Sequence, residues 1–93
     1  MTYYLKDPLS LVDYSIDWGS GYLDGQTLID SAWSVEPQEP GGLFADDDSF
    51  DLTKSAVRLS GGVAGHVYTV SNLVALSDGT LDRRSIHLRV ERR

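Results

Sequence analysis

Apolar residues recur along this chain with a period of two, and no segment sustains the period of a helix. From Leu11 to Trp18, Val12, Tyr14, Ile16 and Trp18 alternate with Asp13, Ser15 and Asp17, the pattern of a strand with one buried face and one wet face. Ser55, Val57 and Leu59 alternate in the same way with Lys54, Ala56 and Arg58, and Ile86, Leu88 and Val90 with Ser85, His87, Arg89 and Glu91. Over Thr27–Val35, the expected inner face is Ile29, Trp33 and Val35, opposed by Leu28, Asp30, Ala32 and Ser34. His66–Leu76 ends in the wholly apolar run Leu73-Val74-Ala75-Leu76. That run predicts a central strand covered on both sides, with a bulge near Ser71-Asn72 resetting its phase.

The segments between these strands carry turn chemistry. Trp18-Gly19-Ser20-Gly21 and Asp24-Gly25 break the first pair, and Glu36-Pro37-Gln38-Glu39-Pro40-Gly41-Gly42 reads as a loop. Residues 38–52 as a whole read as an acidic loop. Ser60-Gly61-Gly62 and Gly65 precede the central strand, and the Asp78-Gly79 pair marks a hairpin because such turns need positive φ. Six or seven short strands at this spacing imply a sandwich or a small barrel.

Gly65-His66-Val67-Tyr68-Thr69-Val70 sharpens the choice. A tyrosine just after a glycine turn, two residues before a buried apolar position, matches the tyrosine corner of immunoglobulin-like sandwiches. An ordinary core tyrosine is the alternative, and both readings make Tyr68 structural. The expected fold is therefore all-β: an immunoglobulin-like β-sandwich of about six to seven antiparallel strands. Its expected core is Tyr14, Trp18, Trp33, Tyr68, Val70, Ile86 and Leu88, with Trp33 at the centre and Trp18 over one end.

A chain of 93 residues is enough for one domain. Residues 11–93 are assigned to it, and residues 1–10, which precede the first convincing strand, to an N-terminal arm. Without cysteine, a disulfide, a thiol nucleophile and a zinc ribbon are all excluded. No apolar run reaches the ~18–20 residues of a membrane-spanning helix. Met1-Thr2-Tyr3-Tyr4-Leu5-Lys6-Asp7-Pro8 lacks the basic start and apolar stretch of a signal peptide, so synthesis in the cytoplasm is expected. Charge is segregated: residues 1–82 carry 13 acids and 3 bases, whereas residues 83–93 carry five arginines and one acid. An acidic body argues against nonspecific nucleic-acid binding, which requires basic surface.

Several segments together resemble a known family. Lys6-Asp7-Pro8, Leu11–Trp18, Ile29–Val35, Leu59–Asn72, Asp78-Gly79 and Arg84–Val90 are similar to small tailed-phage virion proteins of the fibre–tail adaptor or minor virion protein family. The resemblance spans almost the whole chain outside the acidic stretch at 38–52. It implies a structural virion protein working in the neck, tail or fibre attachment, in several copies and in contact with other virion proteins. A capsid decoration protein is one alternative. Another is a carbohydrate- or surface-binding module, in which Tyr3, Tyr4, Tyr22 and Phe44 would stack on sugars. The resemblance brings no catalytic motif and no cofactor.

Catalytic and metal constellations are weak. Asp46, Asp47, Asp48 and Asp51 cluster enough oxygens to suggest Ca²⁺, but the spacing is not that of an EF-hand, and a solvated acidic stretch explains them better. His66 and His87 lack further ligands. Asp82, Ser85 and His87 cannot converge from one strand, because odd and even positions face opposite ways. Candidate interface residues are Tyr3, Tyr4 and Leu5 on the arm, Asp46, Asp47, Asp48 and Asp51 on the acidic stretch, and Arg83, Arg84, Arg89, Arg92 and Arg93 on a basic C-terminal end. Head-to-tail contacts between the acidic and basic groups would suit a ring.

Overall fold

The computed structural model describes residues 3–19, 23 and 25–92. Among these, the strands are β1 (Tyr3–Lys6), β2 (Val12–Asp17), β3 (Leu28–Glu36), β4 (Leu43–Phe50), β5 (Lys54–Gly61), β6 (Val67–Leu76) and β7 (Leu81–Val90), with no helix. They form two sheets, ordered β1-β7-β6-β3 and β2-β5-β4. The period-two faces of β2, β5 and β7 point where the sequence predicts: Ile16, Val57, Leu59, Leu88 and Val90 are buried between the sheets. The Asp78-Gly79 turn joins β6 to β7, with Gly79 at φ 89° and the Thr80 carbonyl accepting the Leu76 N–H at 2.8 Å.

Four expectations need correction. First, β6 carries no bulge. Its pairing with β7 and with β3 runs unbroken through Ser71 and Asn72, and Tyr68, Val70, Asn72, Val74 and Leu76 all face the core. Asn72 is a polar residue on an apolar face, and it imitates a change of phase in the sequence. Second, the irregularity lies in β3, between Leu28 and Asp30. It turns Leu28 inward (3% exposed) and leaves Ile29 outside (57%), the reverse of the predicted phase. Third, the acidic stretch is not a loop: Leu43–Phe50 is edge strand β4, bulged between Asp46 and Ser49, with Asp47 at φ 50°. Aspartates are depleted from strands, so composition concealed it. Fourth, Tyr3–Lys6, expected within an arm, runs along β7 as a parallel edge strand, so the sandwich is not purely antiparallel.

The core has two apolar clusters. One gathers Val35, Leu43, Val57, Leu59, Tyr68, Val70, Leu88 and Val90. The other gathers Ile16, Trp18, Leu23, Leu28, Val74 and Leu76. Tyr14 and Trp33 pack against both, their rings edge-to-face at 6.2 Å. Trp33 thus takes the central position predicted for it, but it, Tyr14 and Ile86 are only partly buried. Trp18 is the fully buried tryptophan.

The burial of Trp18 is explained by its partners. Its indole N–H donates to Ser55 Oγ (3.0 Å) and to Asn72 Oδ1 (3.2 Å), and the Ser55 hydroxyl donates to Asn72 Oδ1 at 2.6 Å. The Asn72 amide in turn donates to Ser31 Oγ (2.8 Å) and to the Ala32 carbonyl (3.2 Å). Every buried polar group in this cluster is satisfied, as low-dielectric surroundings require. Trp33 has no such support, and its buried Nε1 finds no acceptor among the described residues.

Trp18→Ala should lower the unfolding free energy by about 3–5 kcal/mol, and Trp33→Ala by less. Urea titration of both variants checks the order. A larger loss at Trp33 would place the main packing determinant at the centre of the sandwich instead.

Candidate protein-binding surfaces

The crossover from β5 to β6 is built as a tyrosine corner. Tyr68, fully buried at the start of β6, accepts the Val63 N–H on its hydroxyl at 3.0 Å, five residues upstream. The same hydroxyl donates to Glu39 Oε1. His66 Nδ1 stands 2.8 Å from that oxygen. Hydrogen bonds from Tyr68 and then His66 hold the Glu39 carboxyl below its usual value of 4.5, while burial pushes the Tyr68 hydroxyl up. Gly62 lies at φ 106°, and a Cβ there would meet Val90 Cγ2 at 2.5 Å, so the corner demands glycine on both counts.

The outer face of the three-stranded sheet sets aspartates around two cations, Arg58 and Lys54, the latter opposite Asp17. Arg58 Nε pairs with Asp13 at 3.0 Å and Arg58 Nη1 with Asp47 at 3.6 Å. Asp46 lies opposite Arg58 across the β4–β5 ladder. Asp51 closes the β4–β5 turn, accepting the Thr53 N–H (2.9 Å) and the Lys54 N–H (2.8 Å). Those two bonds lower its carboxyl. Asp48 is exposed. The aspartates suggested for Ca²⁺ are therefore spread along a bulged strand and its turn, and among the described residues no three acidic or imidazole groups converge to hold a metal ion.

The arginines do not make one basic end. Arg83 and Arg84 open β7 and Arg89 nearly closes it, and at ~3.3 Å per residue Arg83 and Arg89 stand about 20 Å apart. Arg84 pairs opposite Asn72, on the core side, and its guanidinium lies 4.5 Å above the Trp18 ring, a cation–π contact. Arg89 pairs with Glu91 at 2.6 Å. Arg92 lines a small cleft with Asp7, Pro8 and Leu9. Arg93 and Tyr22 lie outside the described residues, as does the side chain of Tyr3.

Of the other expected contacts, Tyr4 stacks edge-to-face on Tyr14 at 5.8 Å and stays half exposed, like Leu5. Phe44 is exposed on β4, in the other sheet. Tyr4 and Phe44 thus do not form one aromatic platform. Lys6 is buried, its ammonium donating to the Asp7 and Gly61 carbonyls at 2.8 Å each. Burial lowers its pKa, against the opposing charge of Asp7.

Sequence reasoning missed a cleft of about 540 Å³ between β3 and β4. Trp33, Val35, Leu43, Phe44 and Ala45 supply its apolar wall, and Ser34, Gln38 and Glu39 its polar part. It was hidden because residues 43–50 were not recognised as a strand.

With the geometry established, comparison with known proteins identifies the family. Residues 6–89 match the family model of the podophage GP4 fibre–tail adaptor protein gp77. The chain belongs to this family. The match spans nearly every strand described above. No curated protein matches the chain. Among solved structures, the PKD domain of the KIAA 1837 protein aligns with a TM-score of 0.57 at 18% identity, covering 97% of this chain and 80% of that one. That likeness concerns the fold alone, and it agrees with an immunoglobulin-like β-sandwich.

Replacing Glu39 with Gln should destabilise the domain in a pH-dependent way. A carboxyl whose pKa is lowered by folding stabilises the folded state above its unfolded value, near 4.5. That stabilisation is lost as pH falls through the lower folded value. Melting temperatures of wild type and Glu39→Gln should therefore differ at neutral pH and converge on acidification. A gap unchanged from pH 7 to pH 3 would show that the carboxylate charge is not what Tyr68 and His66 recognise.

Proposed function

We propose that this chain is a structural protein of the podophage virion that helps attach fibres to the tail, acting by binding rather than by catalysis. The observation that carries this reading is the family match over residues 6–89, and the distribution of charge supplies a physical means. The outer face of the three-stranded sheet presents Asp13, Asp46 and Asp47 around Arg58, and Asp17 opposite Lys54. The outer side of β7 presents Arg83 and Arg89. Copies arranged head to tail bring one copy's arginines against the next copy's aspartates, and such heterologous contacts close into a ring when the rotation allows. Each exposed pair contributes only ~0–1 kcal/mol, so the pairs set register and partner choice more than affinity.

The test is a charge swap followed in assembling particles. Arg83→Glu with Arg89→Glu should reduce incorporation several-fold at low salt, and so should Asp13→Lys with Asp46→Lys. Mixing the two variant proteins should restore incorporation, because each then offers the other a complementary face. Normal incorporation of both variants at low and moderate salt would refute assembly through these faces.

A further inference from the structure

We infer that the outer edge of β3 is an acceptor for an extended segment of a partner protein, one that alternates apolar and basic residues. This deepens the attachment role proposed above by giving the chemistry of the partner.

The four sheet edges differ in how well they are closed. β1 is four residues long. β2 has six residues and carries Asp13 and Asp17. β4 is interrupted by its bulge and by Asp47 at positive φ. Bulges, inserted charges and short length are the usual ways to stop an edge from pairing. β3 is the longest edge, at nine residues, and its ladder with β6 is regular from Asp30 to Glu36. The Ser31 N–H is taken by the Asp30 carboxylate. From Ala32 to Glu36, no described backbone group outside β6 bonds the strand. Ala32 and Ser34 are exposed and small, so side chains do not obstruct a strand approaching from the side.

A strand added beyond β3 would extend the four-stranded sheet over the cleft between β3 and β4. Alternate side chains of an added strand point to one face, which here is the apolar wall of Trp33, Val35, Leu43, Phe44 and Ala45. Main-chain bonds then supply affinity and the pocket supplies selectivity, as in other strand-addition complexes. Charge decides the occupant. From residue 28 to residue 53 the chain carries seven acids and no lysine or arginine, and Asp30, Glu36, Asp46 and Asp48 among them are exposed. An acidic or neutral segment gains nothing from that field, whereas lysines or arginines on the outward positions of the incoming strand share a face with Asp30 and Glu36.

The test uses the whole chain with three synthetic eight-residue peptides: one alternating lysine and valine, one alternating glutamate and valine, and one alternating lysine and proline. Calorimetry should show the lysine–valine peptide binding at least tenfold more tightly than either other peptide, weakening at least tenfold from 50 mM to 500 mM salt. Amide hydrogen exchange should slow within Ala32–Glu36. The variant Asp30→Lys with Glu36→Lys, folded by its melting temperature, should lose that preference. Equal binding of the three peptides, or protection elsewhere with none at β3, overturns the inference. The attachment role fails separately: if the peptide protects β3 but particles carrying the double variant still acquire fibres, β3 is an acceptor and fibre attachment does not use it.

Discussion

Asn72 is the residue around which the two sheets are set. It sits on the core face of β6, in a row otherwise made of Tyr68, Val70, Val74 and Leu76, and its carboxamide is fully used. On one side it accepts from Trp18 and Ser55, which belong to the β2 end and β5 of the opposite sheet. On the other it donates to Ser31 and Ala32 of β3. A one-residue slip of β6 would turn the whole row to solvent, and a two-residue slip would restore the apolar face but strand the amide. An unpartnered buried amide costs about 1–3 kcal/mol, against a total stability of ~5–15 kcal/mol for a domain. Apolar packing thus selects the face of β6, and this hydrogen-bonded cluster selects its register.

The parts of the fold legible in the sequence are those where one physical signal acts alone. β2, β5 and β7 alternate cleanly, and each lies as the alternation implies. Tyr68 was legible because its corner depends on local spacing, a glycine turn before it and a buried position two residues on. Where two signals conflict, reading failed. Asn72 broke the apolar run of β6 and imitated a phase change. The shift between Leu28 and Asp30 inverted β3 at its start without any glycine or proline to announce it. Three successive aspartates masked β4, whose place is secured by Leu43 and Ala45 facing the core and by pairing with β5. The fuller burial of Trp18 than of Trp33 was invisible because its hydrogen-bond partners lie 37 and 54 residues away.

The candidate surfaces were legible by composition and not by arrangement. The acids and arginines named from the sequence are mostly exposed, yet the fold does not collect the arginines. Arg84 is turned onto Trp18, Arg89 onto Glu91, and β7 separates them along its length. What the fold does assemble is a flank of two strands that carry acids and no lysine or arginine of their own, because β3 and β4 come from the longest stretch of chain without either, residues 7–53, and end on the same side of the sandwich. Linear charge becomes a surface property only through topology.

The parallel pairing of β1 with β7 has a mechanical consequence. Tyr3 to Lys6 lie beside His87 to Val90 and run in the same direction, and the Lys6 ammonium is fastened to the carbonyl of Gly61 at the end of β5. Traction applied at Tyr3 and at Val90 in opposite directions would slide these strands along each other rather than peel them apart. In that geometry the bonds of the ladder share the strain and must yield together, and the buried lysine must be dragged from its seat at the same moment. Antiparallel terminal strands pulled from adjacent ends would instead open one bond at a time. A domain held between two bodies in relative motion resists best when the two strands that bear the load are arranged as β1 and β7 are here.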